Sequence, residues 1–350
     1  MTVTQVLYHR YKRYRTLQTD HISVLPVVIL MPHSACNCRC VMCDIWKDNK
    51  NLKQLTENDI RSLLDSLLKL ETRKVVMSGG EALLNPHFFR FCEILNHHKI
   101  KVSLLSTGLA IRRNAERLLE HVEDIIVSLD GTEEVHDRIR NIHGAFASLR
   151  EGVEYIKNRN HEFRISSRTV IQRMNYHCWT GIIDAAKDMG IDQVSFLPAD
   201  VSSHAFNREV LWSDQRKHDI LPAEEELPLL KKSLDQVLEY YAAEMDSGFI
   251  AESQSKLGKI YEYYAAFYGL NSFPFKKCNA PWVSAVVESD GNVRPCFFHE
   301  ALGNIREQSL KSILNNPKAI AFRKNLDMST NPVCVKCVCY LNLSPGAKMN

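Results

Sequence analysis

The chain has 350 residues, 45% of them hydrophobic, and 44 Lys and Arg stand against 41 Asp and Glu for a formal net charge of +3. That length and apolar content supply a sizeable core plus an appended module, and a charge so near balance gives no general case for a nucleic-acid-binding surface. The longest apolar run, Val24 to Met31, contains Pro26 and falls far short of the roughly 20 residues that a membrane-spanning helix needs.

Residues 1–26 read as an N-terminal extension whose basic residues, Arg10, Lys12, Arg13 and Arg15, form a solvated amphipathic start. No apolar stretch of the secretory kind accompanies them, so a cytoplasmic location without disulfides is expected. Val27 to Met31 reads as the first strand. Directly after it, Cys36-Asn-Cys38-Arg-Cys40-Val-Met-Cys43 crowds four of the chain's 11 cysteines together, a density of thiolates that asks for a metal. Taken as Cys36, Cys40 and Cys43, the spacing is C-x3-C-x2-C. That is one ligand short of a closed zinc site or a fully ligated iron–sulfur cluster, so one metal position would stay open. A structural zinc site that recruits Cys38 is the other metal reading, although zinc pairs usually sit well apart in sequence and clamp two segments.

Further along, Thr56-x-x-Asp59 caps a helix with Ile60, Leu63, Leu64, Leu67 and Leu68 on one face. Lys74 to Met77 reads as a strand running into Ser78-Gly79-Gly80-Glu81, where paired glycines permit close backbone approach and a carboxylate stands at the strand's C-terminal end. Strands are also read over Lys101 to Ser106, Asp124 to Ser128, Phe163 to Gln172 and Gln193 to Leu197, with helix-length gaps between them. This alternation predicts an α/β fold, a parallel sheet or barrel over 27–201 with its polar site at the strands' C-terminal ends. Residues 202–275, punctuated by Leu221-Pro222 and Leu227-Pro228, read as a helical linker whose aromatic stripe, including Tyr240, Tyr241, Tyr263, Tyr264 and Phe267, is packing. Cys92 and Cys178 read as small buried hydrophobes. In 276–350, Cys278 and Cys296 form one pair and Cys334 and Cys337 another, with Cys339 close behind; two sequence-distant pairs can converge on one metal. Ser284 to Glu288 and Val293 to Phe298 read as a hairpin around Gly291 that presents Cys296 from a strand.

With these motifs in this order, Val27 to Ala199 resembles the radical S-adenosylmethionine enzymes. The resemblance implies a partial (β/α)6 TIM-like barrel and a [4Fe-4S] cluster on Cys36, Cys40 and Cys43. It also implies that the open iron binds the amino and carboxylate groups of S-adenosylmethionine, with Gly79, Gly80 and Glu81 contacting the amino group. Homolysis would then yield a 5′-deoxyadenosyl radical that abstracts hydrogen from substrate. Ser128-Leu-Asp130-Gly131, followed by Glu134, His136, Asp137 and Arg140, resembles the fourth-strand region of auxiliary-cluster members. That likeness implies that Ser128 and, on the fifth strand, Arg168 hold the nucleoside or carboxylate of the cofactor; a strand-end cap and a surface arginine are the plain alternatives.

The pattern C-x12-G-x4-C from Cys278 resembles the opening of SPASM and Twitch domains. No cysteine follows Cys339, so the full SPASM ligand set cannot be assembled. A small C-terminal Cys-rich α+β domain with one auxiliary [4Fe-4S] cluster on Cys278, Cys296, Cys334 and Cys337 is implied, Cys339 being a substitute for one of the last pair. Tetrathiolate zinc stays open at this site.

Two functions of different class follow. One is an oxidoreductase-type radical enzyme whose auxiliary cluster accepts an electron or holds substrate; the other is a non-catalytic zinc-binding scaffold, which would have no use for Glu81 at a strand end. The preferred substrate is a natural-product intermediate such as an aminocyclitol or sugar-like alcohol. Radical modification of a ribosomal peptide or protein, by cross-link, epimerisation or oxidation, is the runner-up, since only about 25 residues precede the first strand and leave no room for a fused peptide-recognition domain. The expected partners are that substrate and an electron donor such as flavodoxin or ferredoxin, with no nucleic acid and no membrane. No catalytic acid or base is assigned.

Overall fold

The structure, a computed structural model, describes residues 3–347. Six strands, β1 (Val27–Leu30), β2 (Lys74–Met77), β3 (Lys101–Ser106), β4 (Asp124–Ser128), β5 (Arg164–Ile171) and β6 (Gln193–Pro198), pair in sequence order and all in parallel. After α1 (Val3–Thr19), the helices α2 (Glu57–Lys69), α3 (Phe88–His97), α4 (Ile111–His121), α5 (Glu133–Arg140), α6 (Ala145–Arg159) and α7 (Trp179–Asp188) fall between them. One face of each strand is sealed and mainly apolar, as with Val75, Ile125, Ile165 and Val194, none of which is exposed. The alternate residues, among them Ser128, Arg168 and Ser195, are half-exposed and line the other face. This is the period-two pattern of strands covered by helices on one side and left as an open lumen on the other, the partial barrel expected. The cap of α2 forms as read: Asp59 N donates to the Thr56 hydroxyl at 3.2 Å and Thr56 N to Asp59 Oδ2 at 2.8 Å.

Three more strands extend the sheet beyond β1: β7 (Ser284–Val287), β8 (Asn292–Arg294) and β9 (Gly303–Asn304). The hairpin expected around Gly291 is the antiparallel β7–β8 pair, with Gly291 at φ +89°. Cys296 stands just past the end of β8 rather than within it. Unlike a free-standing module, the C-terminal unit shares the barrel's sheet, because β7 runs parallel to β1 in the register Val27 to Ser284 through Leu30 to Val287. All four β7 residues are buried, and the apolar β1 offers an edge that would otherwise be open.

The segment between the two units forms α8 (Asp214–Ile220), α9 (Leu227–Tyr240), α10 (Ala242–Asp246) and α11 (Gln254–Phe267). Its aromatics pack only in part: Tyr240 is 63% exposed, whereas Tyr263 and Tyr264 are fully buried, as read. They also bond. The Tyr264 hydroxyl donates to the Ile171 carbonyl and accepts from Ala199 N at 2.8 Å, which pins the ends of β5 and β6. Among the described residues, no helix is long and apolar enough to cross a membrane.

Candidate active site

The cysteine loop leaves the C-terminal end of β1 and is held from several sides by main-chain bonds. Arg39 N donates to Arg140 O and Val41 N to Ile139 O, each at 3.0 Å, which fastens the loop to the end of α5. The Asn49 side chain brackets Cys36, accepting from its N–H at 3.0 Å and donating to its carbonyl at 2.9 Å, while Trp46 Nε1 donates to Cys40 O at 3.3 Å. Burial pushes the Cys36 and Cys43 thiols up to about 12. Cys40 is drawn down to about 6, first by a hydrogen bond from Cys38 and then by Arg140. Arg140 Nη1 lies 3.5 Å from Cys40 Sγ. Thiols crowded into a dry loop beside a guanidinium form a donor set that suits an iron–sulfur cluster, because metal binding removes their protons and the arginine offsets the charge left behind.

The Gly-Gly-Glu segment lies against this loop. Gly79 adopts φ +115°, and a Cβ on Gly80 would fall 2.2 Å from Ala35 O, so the loop and the end of β2 approach as only glycine permits. Glu81 N closes the contact by donating to Ala35 O at 2.9 Å. The Glu81 side chain is engaged within the protein. Its carboxylate is fully buried and turned inward, accepting from Ser106 Oγ at 2.9 Å, Thr107 N at 2.9 Å and Leu83 N at 3.2 Å. Oε2 is thus committed to Ser106 and Thr107 at the end of β3, while Oε1 accepts from Leu83 N. The Thr107 hydroxyl, 2.8 Å from Glu81 Oε2 and 3.0 Å from Asn37 Oδ1, carries the link on to the cysteine loop.

The Asp130-Gly131 to Arg140 motif organises the far side. Asp130 is fully buried and ion-paired to Arg140 Nη2, and its Oδ1 accepts from Val170 N at 2.9 Å. Burial works against the Arg140 charge, but Asp130 and the thiols outweigh it and hold the guanidinium protonated. His136, kept neutral by burial with a pKa near 3, accepts from Asp130 N at 3.1 Å. Ser128 and Arg168 are register partners on β4 and β5, so the two candidates for cofactor contact stand side by side on the lumen face. Beside them, Glu252 accepts from Ser195 Oγ and Phe196 N, each at 3.0 Å, and burial raises its pKa.

In the C-terminal unit, Cys278, Cys296, Cys334, Cys337 and Cys339 line one cavity of about 40 Å³. Cys339 is the exposed one of the five. His299 Nε2 lies 3.4 Å from Cys334 Sγ, and Lys276 enters the same cavity. Among the described residues, no three Cys, His, Asp or Glu side chains converge tightly enough to grip a single ion. Four thiols around a space form the donor set of a four-iron cluster.

An open cleft of about 1100 Å³ is lined by Met31, Asp44 and Lys53 from the barrel, Phe206 and Arg208 from the segment after β6, and Phe297 of the C-terminal unit. That segment is a strap over the cysteine loop. Arg208, buried and paired with Asp200 at 2.5 Å, reaches Met42 O at 3.4 Å; Trp212 Nε1 donates to Asp44 Oδ2 at 2.6 Å; Arg216 donates to Val41 O. Phe206 and Asn207 both stand at φ 62°, a left-handed pair without glycine, and Phe206 meets Phe297 edge-on at 4.9 Å. Sequence reasoning missed the strap and Lys276, because both depend on partners remote in the chain. Arg140 is named with the Asp-Gly motif, but without the role beside Cys40 and Asp130 that the structure gives it.

Comparisons with known proteins agree with this geometry. A family model described as the radical SAM superfamily matches residues 30–186, and a second, SPASM, described as an iron–sulfur cluster-binding domain, matches 278–338. An AdoMet-dependent heme synthase of Methanosarcina barkeri is 25% identical over 304 residues, covering 84% of this chain and 82% of its own length. The antilisterial bacteriocin subtilosin biosynthesis protein AlbA of Bacillus subtilis is 25% identical over 292 residues, 81% of this chain and 58% of its own. Among solved structures, Streptococcus suis SuiB bound to its precursor peptide SuiA superposes with a TM-score of 0.65 at 14% identity, covering 94% of this chain and 73% of its own, a likeness of fold. Residues 30–186 therefore form a radical SAM domain and residues 278–338 a SPASM domain, the pairing of an enzyme with a SAM-binding [4Fe-4S] cluster in a partial barrel and an auxiliary cluster in its C-terminal unit.

Proposed function

We propose that the enzyme uses a 5′-deoxyadenosyl radical to oxidise or cross-link a side chain of a ribosomal peptide. The observation that carries this reading is the open cleft of about 1100 Å³ bordered by the barrel residues just after Cys43, by the strap and by the C-terminal unit, at the upper end of the roughly 300–1,000 Å³ of an ordinary small-molecule site. It touches Asp44 and Ile45, just after Cys43, on one side and Phe298, His299 and Val333, which also line the auxiliary cavity, on the other. The similarity to AlbA, a bacteriocin biosynthesis protein, points the same way. The aminocyclitol-like alcohol preferred from sequence is not supported by these relatives.

In this reading Cys36, Cys40 and Cys43 hold the cluster that cleaves S-adenosylmethionine, and Gly79 and Gly80 keep the backbone close to it. Ser128 and Arg168 contact the cofactor from the lumen face, Arg168 supplying a cation for its carboxylate. Cys278, Cys296, Cys334 and Cys337 hold the auxiliary cluster. A small one-electron carrier of the flavodoxin or ferredoxin kind supplies the reducing electron. A tetrapyrrole is the second reading, favoured by the heme synthase relative, whose match spans most of both chains.

The test is anaerobic reconstitution with iron and sulfide, then incubation with S-adenosylmethionine, reductant and either the short peptides encoded beside the gene or iron coproporphyrin III. Formation of 5′-deoxyadenosine coupled to loss of hydrogen mass from a peptide supports the proposal. Conversion of the porphyrin alone moves the assignment to the second reading, and no cleavage in any arm removes both.

A further inference from the structure

We infer that Lys276 sets the potential of the auxiliary cluster so that this cluster, rather than an external oxidant, takes the electron from the substrate radical. The inference rests on the reading that Cys278, Cys296, Cys334 and Cys337 hold a four-iron cluster.

Lys276 is only 9% exposed, and its ammonium is buried without a hydrogen-bond partner. It opens onto the same cavity as the thiols, and no carboxylate lines that cavity among the described residues. On the other side its Nζ stands 5.4 Å from the ring centroid of the fully buried Tyr263, a weak cation–π contact. The other titratable groups facing the space are His299, held near Cys334, and Tyr340. A buried ammonium without an anion is costly. In this cavity the anions available to it are thiolates, and they are anions once iron is bound.

Such placement has a redox consequence. The potential of an iron–sulfur cluster depends on net charge and surroundings, and a cation held close in a low-dielectric cavity favours the more negative, reduced state. After hydrogen abstraction the substrate carries a carbon radical. As that carbon bonds to a neighbouring heteroatom, the heteroatom–hydrogen bond breaks, one proton goes to water, and one electron passes to the auxiliary cluster. Transfer to the same class of one-electron carrier that serves the barrel then restores the oxidised cluster. Lys276 does not touch substrate, so it is a positioning residue.

The test is an EPR-monitored redox titration of the full-length protein with both clusters loaded, comparing wild type, Lys276→Met and Lys276→Arg. The auxiliary signal is the one that S-adenosylmethionine does not perturb. Lys276→Met should make the auxiliary cluster at least tenfold harder to reduce, about 59 mV lower for a one-electron couple, while Lys276→Arg stays near wild type. The barrel signal and substrate-free cleavage of S-adenosylmethionine should not change. If Lys276→Met loses iron, Lys276→Gln, with a neutral donor, is titrated instead. Equal potentials in all loaded variants overturn the role of Lys276 and leave the auxiliary cluster standing. Zinc in the quartet, or iron for one cluster only, overturns both.

Discussion

Arg140 is the residue on which two sites of constraint meet. Its guanidinium neutralises Asp130 and stands 3.5 Å from Cys40 Sγ, and all three residues are buried. Arg140→Met should cost about 3–5 kcal/mol of stability, because Asp130 would be left as an unpaired buried charge; urea denaturation of the apoprotein measures it. Cys38 makes the opposite case. It is buried and donates to Cys40, but lies outside the C-x3-C-x2-C set. Cys38→Ala should therefore keep its iron and its cleavage of S-adenosylmethionine, whereas alanine at Cys36, Cys40 or Cys43 should lose both, as iron analysis and product chromatography will show. The ligand spacing was legible because a single loop carries it. The direction of the Glu81 carboxylate was not, since it is decided by Ser106 and Thr107 on another strand.

At the scale of elements, the close approach of the cysteine loop to the end of β2 is the contact with least tolerance. A methyl group on Gly80 would overlap backbone, Ala35 O at 2.2 Å, and backbone cannot swing aside as a side chain can. Gly80→Ala should cost on the order of 3 kcal/mol by overpacking and leave the cysteine loop displaced. A lower melting temperature together with weakened iron retention on gel filtration would show it; a variant that melts and loads like wild type would contradict this close packing. The six parallel strands and the capped α2 could be read in advance, since period-two alternation and a Thr-x-x-Asp box are local signals. The strap could not, because Arg208, Trp212 and Arg216 look like surface residues until Met42, Asp44 and Val41 are brought beneath them.

For the whole molecule, the two units expected from sequence are joined more intimately than their motifs suggest. The parallel pairing of β7 with β1 places the barrel's first strand in the interior of a nine-stranded sheet. A chain ending at residue 275 would expose the unpaired edge of Val27–Leu30 and should aggregate or resist purification, even though every barrel cysteine is retained. A soluble, iron-loaded fragment of that length would show instead that the units are separable. Pairing between strands so remote in sequence has no local signature, and this is why the boundary near residue 276 read as a domain edge.

The same pairing has a consequence for how the protein is made. β1 and the cysteine loop leave the ribosome early, but the strand that completes their sheet is synthesised near the end, on the order of tens of seconds later at bacterial rates of elongation. Throughout that interval the apolar edge of β1, and the cysteine loop beside it, belong to a nascent chain whose sheet still lacks its neighbouring strand β7.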